Sequence, residues 1–150
     1  MKQSILFMKK ISFLVAALAA VCMAVSGCEK VIPAASLPQE VQTFIRTNFE
    51  GVAVSYAKSS PGEYEVLLMD GSELEFNKNG QWKSVEMKHS AVPAGVLAML
   101  PASILSYVEA SFPGVPFEKV KKLRRGYKVE LANDLELTFN GESVFKSIDD

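Results

Sequence analysis

The sequence predicts an α+β protein built from two tandem repeats, each one helix followed by a four-stranded antiparallel meander, with the helices packed on one face of the sheet or sheets. Three observations predict it. Residues 37–86 align with residues 100–149 at a constant offset of 63 and without a gap, and 15 of the 50 pairs are identical. A period this long marks a repeated supersecondary unit. Within each unit an apolar spacing of helical type gives way to strict alternation, the mark of half-buried strands. Glycine-containing turn pairs then separate the alternating runs at short intervals, as hairpins require.

The elements follow in chain order. Lys9 and Lys10 precede an apolar run, Ile11 to Val25, that is too short to span a bilayer comfortably and has the charge and length of a signal peptide. The run ends in Val25-Ser26-Gly27-Cys28, which resembles a bacterial lipobox. Residues 1–27 are accordingly read as a lipoprotein signal peptide, and residues 28–36 as a lipidated Cys28 with its tether. Nine extended residues reach at most about 30 Å, so the folded part is expected close to the membrane. Buried acyl methylenes contribute roughly 0.8 kcal/mol each, which makes anchoring by several chains effectively permanent.

Repeat 1 covers residues 37–90. Ser36 and Gln39 have the spacing of a capping box, Pro38 suits a first turn, and Val41, Phe44, Ile45 and Phe49 share one helical face. Val52, Val54 and Tyr56 then alternate as a strand. Pro61-Gly62, Asp70-Gly71 and Asn79-Gly80 each turn the chain into a further run: Tyr64 to Leu68, Glu73 to Phe76, and Trp82 to Val85. Repeat 2 covers residues 91–150. Its first ten residues, with Val96, Leu97 and Leu100, are too apolar for a solvated linker and are expected to pack between the repeats. Pro101 opens a helix carrying Ile104, Tyr107, Val108 and Phe112, and strands are predicted at 115–123, 127–131, 135–139 and 144–148, with turns at Arg125-Gly126, Asn133-Asp134 and Asn140-Gly141.

Composition narrows function. The whole chain carries 16 Lys and Arg against 17 Asp and Glu, and removal of Lys2, Lys9 and Lys10 with the signal leaves 13 against 17. Such a mildly acidic chain is not a nucleic-acid binder by overall charge. Cys22 lies in the signal and Cys28 takes the lipid, so no thiol is left for a disulfide, a metal or a nucleophile. His89 is the single histidine, in the polar connection 86–90; it lacks the companions a metal site or a catalytic pair demands. Glu73 and Glu75 share a strand face and could serve catalysis or bind calcium, but a solvated face accounts for them as well. No phosphate loop or dinucleotide fingerprint is present, and no cofactor is expected.

Two groups stand out as binding candidates. Lys119, Lys121, Lys122, Arg124, Arg125 and Lys128 cluster at the first hairpin of repeat 2, where the aligned part of repeat 1 has only Lys58. They suit an acidic partner or an anionic surface, or serve as a solubilising edge. Trp82, Phe145, Tyr64 and Tyr127 would anchor a partner protein if they lie exposed on the sheet, and belong to the core if they do not.

The ordered set Leu37-Pro38, Phe44-Ile45, Phe49-Glu50-Gly51, Tyr64-Glu65-Val66, Leu74-Glu75-Phe76, Gly80-Gln81-Trp82 and Ile148-Asp149-Asp150 resembles the PepSY-like, β-lactamase-inhibitor-like lipoproteins found chiefly in Bacteroidetes. The resemblance implies a fold like that of secreted β-lactamase inhibitor proteins and a periplasmic or outer-membrane setting. Related domains in peptidase propeptides extend it, by analogy, to an inhibitory or protein-binding role; fold by itself fixes no activity. The chain is therefore expected to be a non-enzymatic envelope lipoprotein, held by its N-terminal lipid in the outer membrane and bound to an envelope protein. A structural scaffold and a carrier of a small amphipathic ligand are the alternatives.

Overall fold

The computed structural model describes residues 29–150. The signal segment and Cys28 lie outside the described residues. In chain order the elements are β1 (Lys30–Val31), α1 (Gln39–Asn48), β2 (Val54–Ser60), β3 (Glu63–Leu68), β4 (Glu73–Asn77), β5 (Trp82–Glu86), α2 (Ala94–Leu97), α3 (Ala102–Ser111), β6 (Phe117–Leu123), β7 (Gly126–Leu131), β8 (Glu136–Phe139) and β9 (Phe145–Asp149), with a 3-10 turn at Ala34–Ser36. All nine strands form one antiparallel sheet in the order β1 to β9.

This corrects the predicted architecture. The described residues are mostly β, a single nine-stranded sheet with a few short helices, and not a pair of α+β units of one helix and four strands each. Two features cause the difference. β5 pairs with β6 through Ser84↔Lys121, Val85↔Val120 and Glu86↔Lys119, which carries the ladder across the middle of the chain. The tether also joins the sheet, because Lys30 and Val31 pair with Ser59 and Lys58 of β2.

The core lies on one face. Ala57, Val66, Leu74, Val85, Val120, Val129 and Leu137 stand opposite one another from β2 to β8, and none is more than 2% exposed. Alternation in each strand sends these residues inward and their neighbours outward. α1 and α3 cover this row with Val41, Ile45, Ile104 and Val108. Each helix sets one aromatic ring edge-on to a buried phenylalanine, Phe44 on Phe76 at 5.2 Å and Tyr107 on Phe139 at 5.6 Å, both at 84°. α2 brings Val96 into the core. Gly95 makes room for the approach, because a β-carbon there would sit 2.4 Å from the Asn48 side-chain oxygen at the end of α1.

Local chemistry differs from expectation at two kinds of place. No side chain caps α1; Ser36 belongs to the 3-10 turn, and Gln42 Nε2 donates to the Leu37 carbonyl at 2.7 Å in place of a capping box. At the β8–β9 turn the left-handed residue is Ser143, at φ 61°, and not Gly141. Asn140 Oδ1 accepts from the amides of Glu142 and Val144, as Asn77 Oδ1 accepts from Asn79 and Gln81. The repeated asparagine is therefore the anchor of both turns, through the Asx geometry that competes with a ladder.

Candidate functional site

The helices leave the other sheet face uncovered among the described residues. Alternation places on it the row Lys58, Glu65, Glu75, Ser84, Lys121, Lys128, Thr138 and Ser147, with Leu67, Glu73, Glu86, Lys119, Glu130, Glu136 and Asp149 alongside. Eight strand spacings of about 4.8 Å and strands of about 17 Å make this a surface of roughly 650 Å².

Ion pairs lace it. Lys119 Nζ lies 2.8 Å from Glu86 and 3.4 Å from Glu130, so one lysine of β6 holds carboxylates on both neighbouring strands. Lys121 reaches over β5 to Glu75 of β4 at 3.8 Å, roofing Ser84, which is 3% exposed. Lys128 pairs with Glu136 and Lys83 with Glu63, and Lys58 meets Glu29 at 3.0 Å and Glu65 at 4.0 Å. The charge asymmetry of the sequence thus has a structural use: lysines of the second half bind glutamates of the first along the β5–β6 seam. Burial pulls the Lys119 ammonium down, but the hydrogen bonds and charges of Glu86 and Glu130 outweigh it and hold the group above its ordinary value. The Glu63 hydrogen bond raises Lys83 in the same sense. The half-exposed Lys119–Glu86 and Lys83–Glu63 pairs contribute about 0.2–1 kcal/mol each.

The candidate binding residues separate accordingly. Lys119, Lys121 and Lys128 are in ion pairs. Lys122 points to the helix side, its Nζ 4.0 Å from the centre of the Trp82 ring, a favourable cation–π distance; burial there lowers its pKa. Arg124 and Arg125 stand exposed at the β6–β7 turn without an ion-pair partner among the described residues. The aromatics lie on the helix side. Trp82 is 6% exposed, Phe145 stacks on Tyr107 at 4.7 Å, and Tyr64 and Tyr127 are half-buried against the core. They form no stripe on the open face. Cys28 lies outside the described residues.

Other hollows are modest. An open apolar groove of about 440 Å³ runs between the 3-10 turn, α1 and the start of β2, lined by Leu37, Ile45, Phe49, Val52 and Val54 with Arg46 at its rim. A second hollow, of about 360 Å³, is acidic, with Glu118, Glu130, Asp134, Glu136, Asp149 and Asp150. No group of three or more metal-ligating side chains comes together among the described residues. His89 is exposed, and Glu73 and Glu75 lie on the open face. Sequence reasoning missed the seam, although Glu75 and Glu86 before Lys119 and Lys121 were its visible signal.

The described residues thus form a one-sided antiparallel sheet whose uncovered face is a patterned polar surface. The chain belongs to the family described as "Putative beta-lactamase-inhibitor-like, PepSY-like", which matches residues 62–147. Three solved structures are similar along almost their full length. A "putative periplasmic protein from DUF2874 family" of Bacteroides vulgatus is 34% identical with a TM-score of 0.76, covering 83% of this chain and 99% of its own. A "putative calcium-regulated periplasmic protein" of Bacteroides thetaiotaomicron is 34% identical with a TM-score of 0.73, covering 81% and 97%. A "putative periplasmic protein of unknown function", also of Bacteroides vulgatus, is 30% identical with a TM-score of 0.74, covering 81% and 99%. No functionally curated protein matches the chain.

Proposed function

We propose that this chain is a non-enzymatic protein-binding module of the cell envelope, presented by a lipid on Cys28 at the outer membrane and acting through the open face of its sheet. The observation that carries the reading is that face: roughly 650 Å² is close to the ~800 Å² that one partner contributes to a standard protein interface. Cross-strand ion pairs fix its charge pattern before binding, so little side-chain ordering is required when a partner arrives. The periplasmic relatives support the envelope setting, and the β-lactamase-inhibitor-like family supports an inhibitory form of the same activity. The 63-residue repetition supports descent of segments 37–90 and 91–150 from one duplicated unit. A tether that ends as β1 on the sheet edge keeps the face close to the membrane.

The test is capture from detergent-solubilised envelope by the full lipidated chain, against a variant with Leu67→Arg and Thr138→Arg, two open-face positions outside the ion-pair network. The module reading expects a stoichiometric protein recovered by the native chain and lost with the folded variant. Equal recovery by both moves the site off the face. Recovery by neither rejects the module and leaves the scaffold reading.

A further inference from the structure

The fold repeats a strand partnership once and leaves it open once. β9 is the sequence counterpart of β5 at the 63-residue offset, with Ser147, Ile148 and Asp149 in the places of Ser84, Val85 and Glu86. β5 is covered by β6; among the described residues β9 is the last strand of the sheet. The effect on burial is large. Val85 is fully buried and Ser84 is 3% exposed, whereas Ile148 is 44% exposed and every residue from Lys146 to Asp149 is exposed. Ile148 closes the apolar row that runs through Val120, Val129 and Leu137, and among the described residues it has no neighbour on its far side.

The charges are incomplete in the same place. Across β7, β8 and β9, Glu130, Glu136 and Asp149 stand opposite one another. Lys119 serves Glu130 and Lys128 serves Glu136. Among the described residues Asp149 and Asp150 have no lysine or arginine within ion-pair distance, and both line the acidic hollow. At the seam the matching carboxylate, Glu86, takes its lysine from the next strand, at 2.8 Å. The opposite sheet edge is no equivalent, because β1 has only two residues.

We propose that β9 is a strand-addition site whose occupant is an extended segment of a partner protein with the Lys–apolar–Lys pattern of β6. It would lie antiparallel to β9 with one lysine opposite Asp149, a β-branched residue opposite Ile148 and the second lysine opposite Ser147. Main-chain hydrogen bonds from the free edge supply affinity, and the alternating side chains supply selectivity. Acidic strands are repelled by Asp149 and Asp150. The proposal deepens the protein-binding reading and rests on it, adding the edge to the face.

The probe is a synthetic peptide of this chain's own residues 116–124, Pro-Phe-Glu-Lys-Val-Lys-Lys-Leu-Arg, titrated into the full chain and followed by amide chemical shifts. Saturable shifts at Ser147 to Asp150 and in β8 are expected. Asp149→Lys weakens binding by tenfold or more, and a peptide with Glu in place of both pattern lysines restores it on that variant. A peptide with Pro at the valine position keeps every charge but loses the central N–H, and it too binds at least tenfold more weakly. Equal binding of the Pro peptide means attraction to the acidic hollow alone and overturns the proposal. So do shifts at Ser84 to Glu86 in place of β9, and so does a dimer of the chain abolished by Asp149→Lys, which makes a second copy the occupant. A peptide that fails while envelope capture succeeds removes the edge and leaves the face.

Discussion

Gly126 opens β7 where the strand passes the end of β8, and replacing it with alanine gives a sharp reading of the sheet. Its φ is +107°, and a β-carbon there would sit 2.0 Å from the Phe139 carbonyl oxygen and 2.6 Å from the Asn140 carbonyl carbon and oxygen. Ordinary contacts begin near 3.4 Å, so the two backbones must part by more than an ångström, at the rung where Tyr127 faces Phe139. Gly62 supplies the control. Its φ is +99° and its β-carbon would meet nothing within 4 Å. Gly62→Ala carries only the left-handed backbone cost, about 1–2 kcal/mol. Gly126→Ala adds a backbone overlap of the overpacking kind, about 1–3 kcal/mol more, for a total of roughly 2–5 kcal/mol. Urea unfolding of both variants, with a common slope, measures the difference. Equal destabilisation within about 0.5 kcal/mol, the scatter of neutral surface changes, would refute the placement of β7 against β8.

Two further outcomes follow from the ion pairs. A double-mutant cycle on Lys119 and Glu86 should return a coupling of about 0.5–1 kcal/mol that shrinks in high salt; zero coupling at low salt removes the electrostatic part of the seam. Lys58, Lys83 and Lys119 are held above the ordinary 10.5 by their glutamates, so their stabilisation is complete below pH 10.5 and is lost as pH climbs through the raised values. Lys122 is lowered by burial and works in the opposite sense, gaining stability from its lowered value up to 10.5. Denaturant midpoints should therefore fall above pH 10.5, and Lys58→Met, Lys83→Met and Lys119→Met combined should shrink that fall; an unchanged alkaline profile contradicts the assignment.

Strands with a face to bury are readable from alternation, and the turns at Pro61-Gly62 and Asp70-Gly71 lie where glycine takes its positive φ. β1 was unreadable because two residues have no period, and its pairing depends on where β2 leaves an edge. The β5–β6 rung was hidden for a related reason. Repetition invites a reading of separate units, whereas an uncovered β5 would leave Val85 as exposed as Ile148. Ser143 and Asp134 hold the left-handed positions that Gly80 and Gly71 hold in the first half, so the turn expected at Asn133-Asp134 is rightly placed and only glycine at Asn140-Gly141 points to the wrong residue. At the candidate site, Lys121 and Lys128 were visible as charges, but their glutamate partners become neighbours only once the ladder is in register.

Lysine acylation in intact envelope, compared with the purified chain, tests the open-face claim most directly. Lys58, Lys119, Lys121 and Lys128 lie on the face, while Lys78 and Lys88 stand exposed in loops. The account predicts slower labelling of the first four in the envelope with Lys78 and Lys88 unchanged. The same labelling of all six in both settings would contradict it.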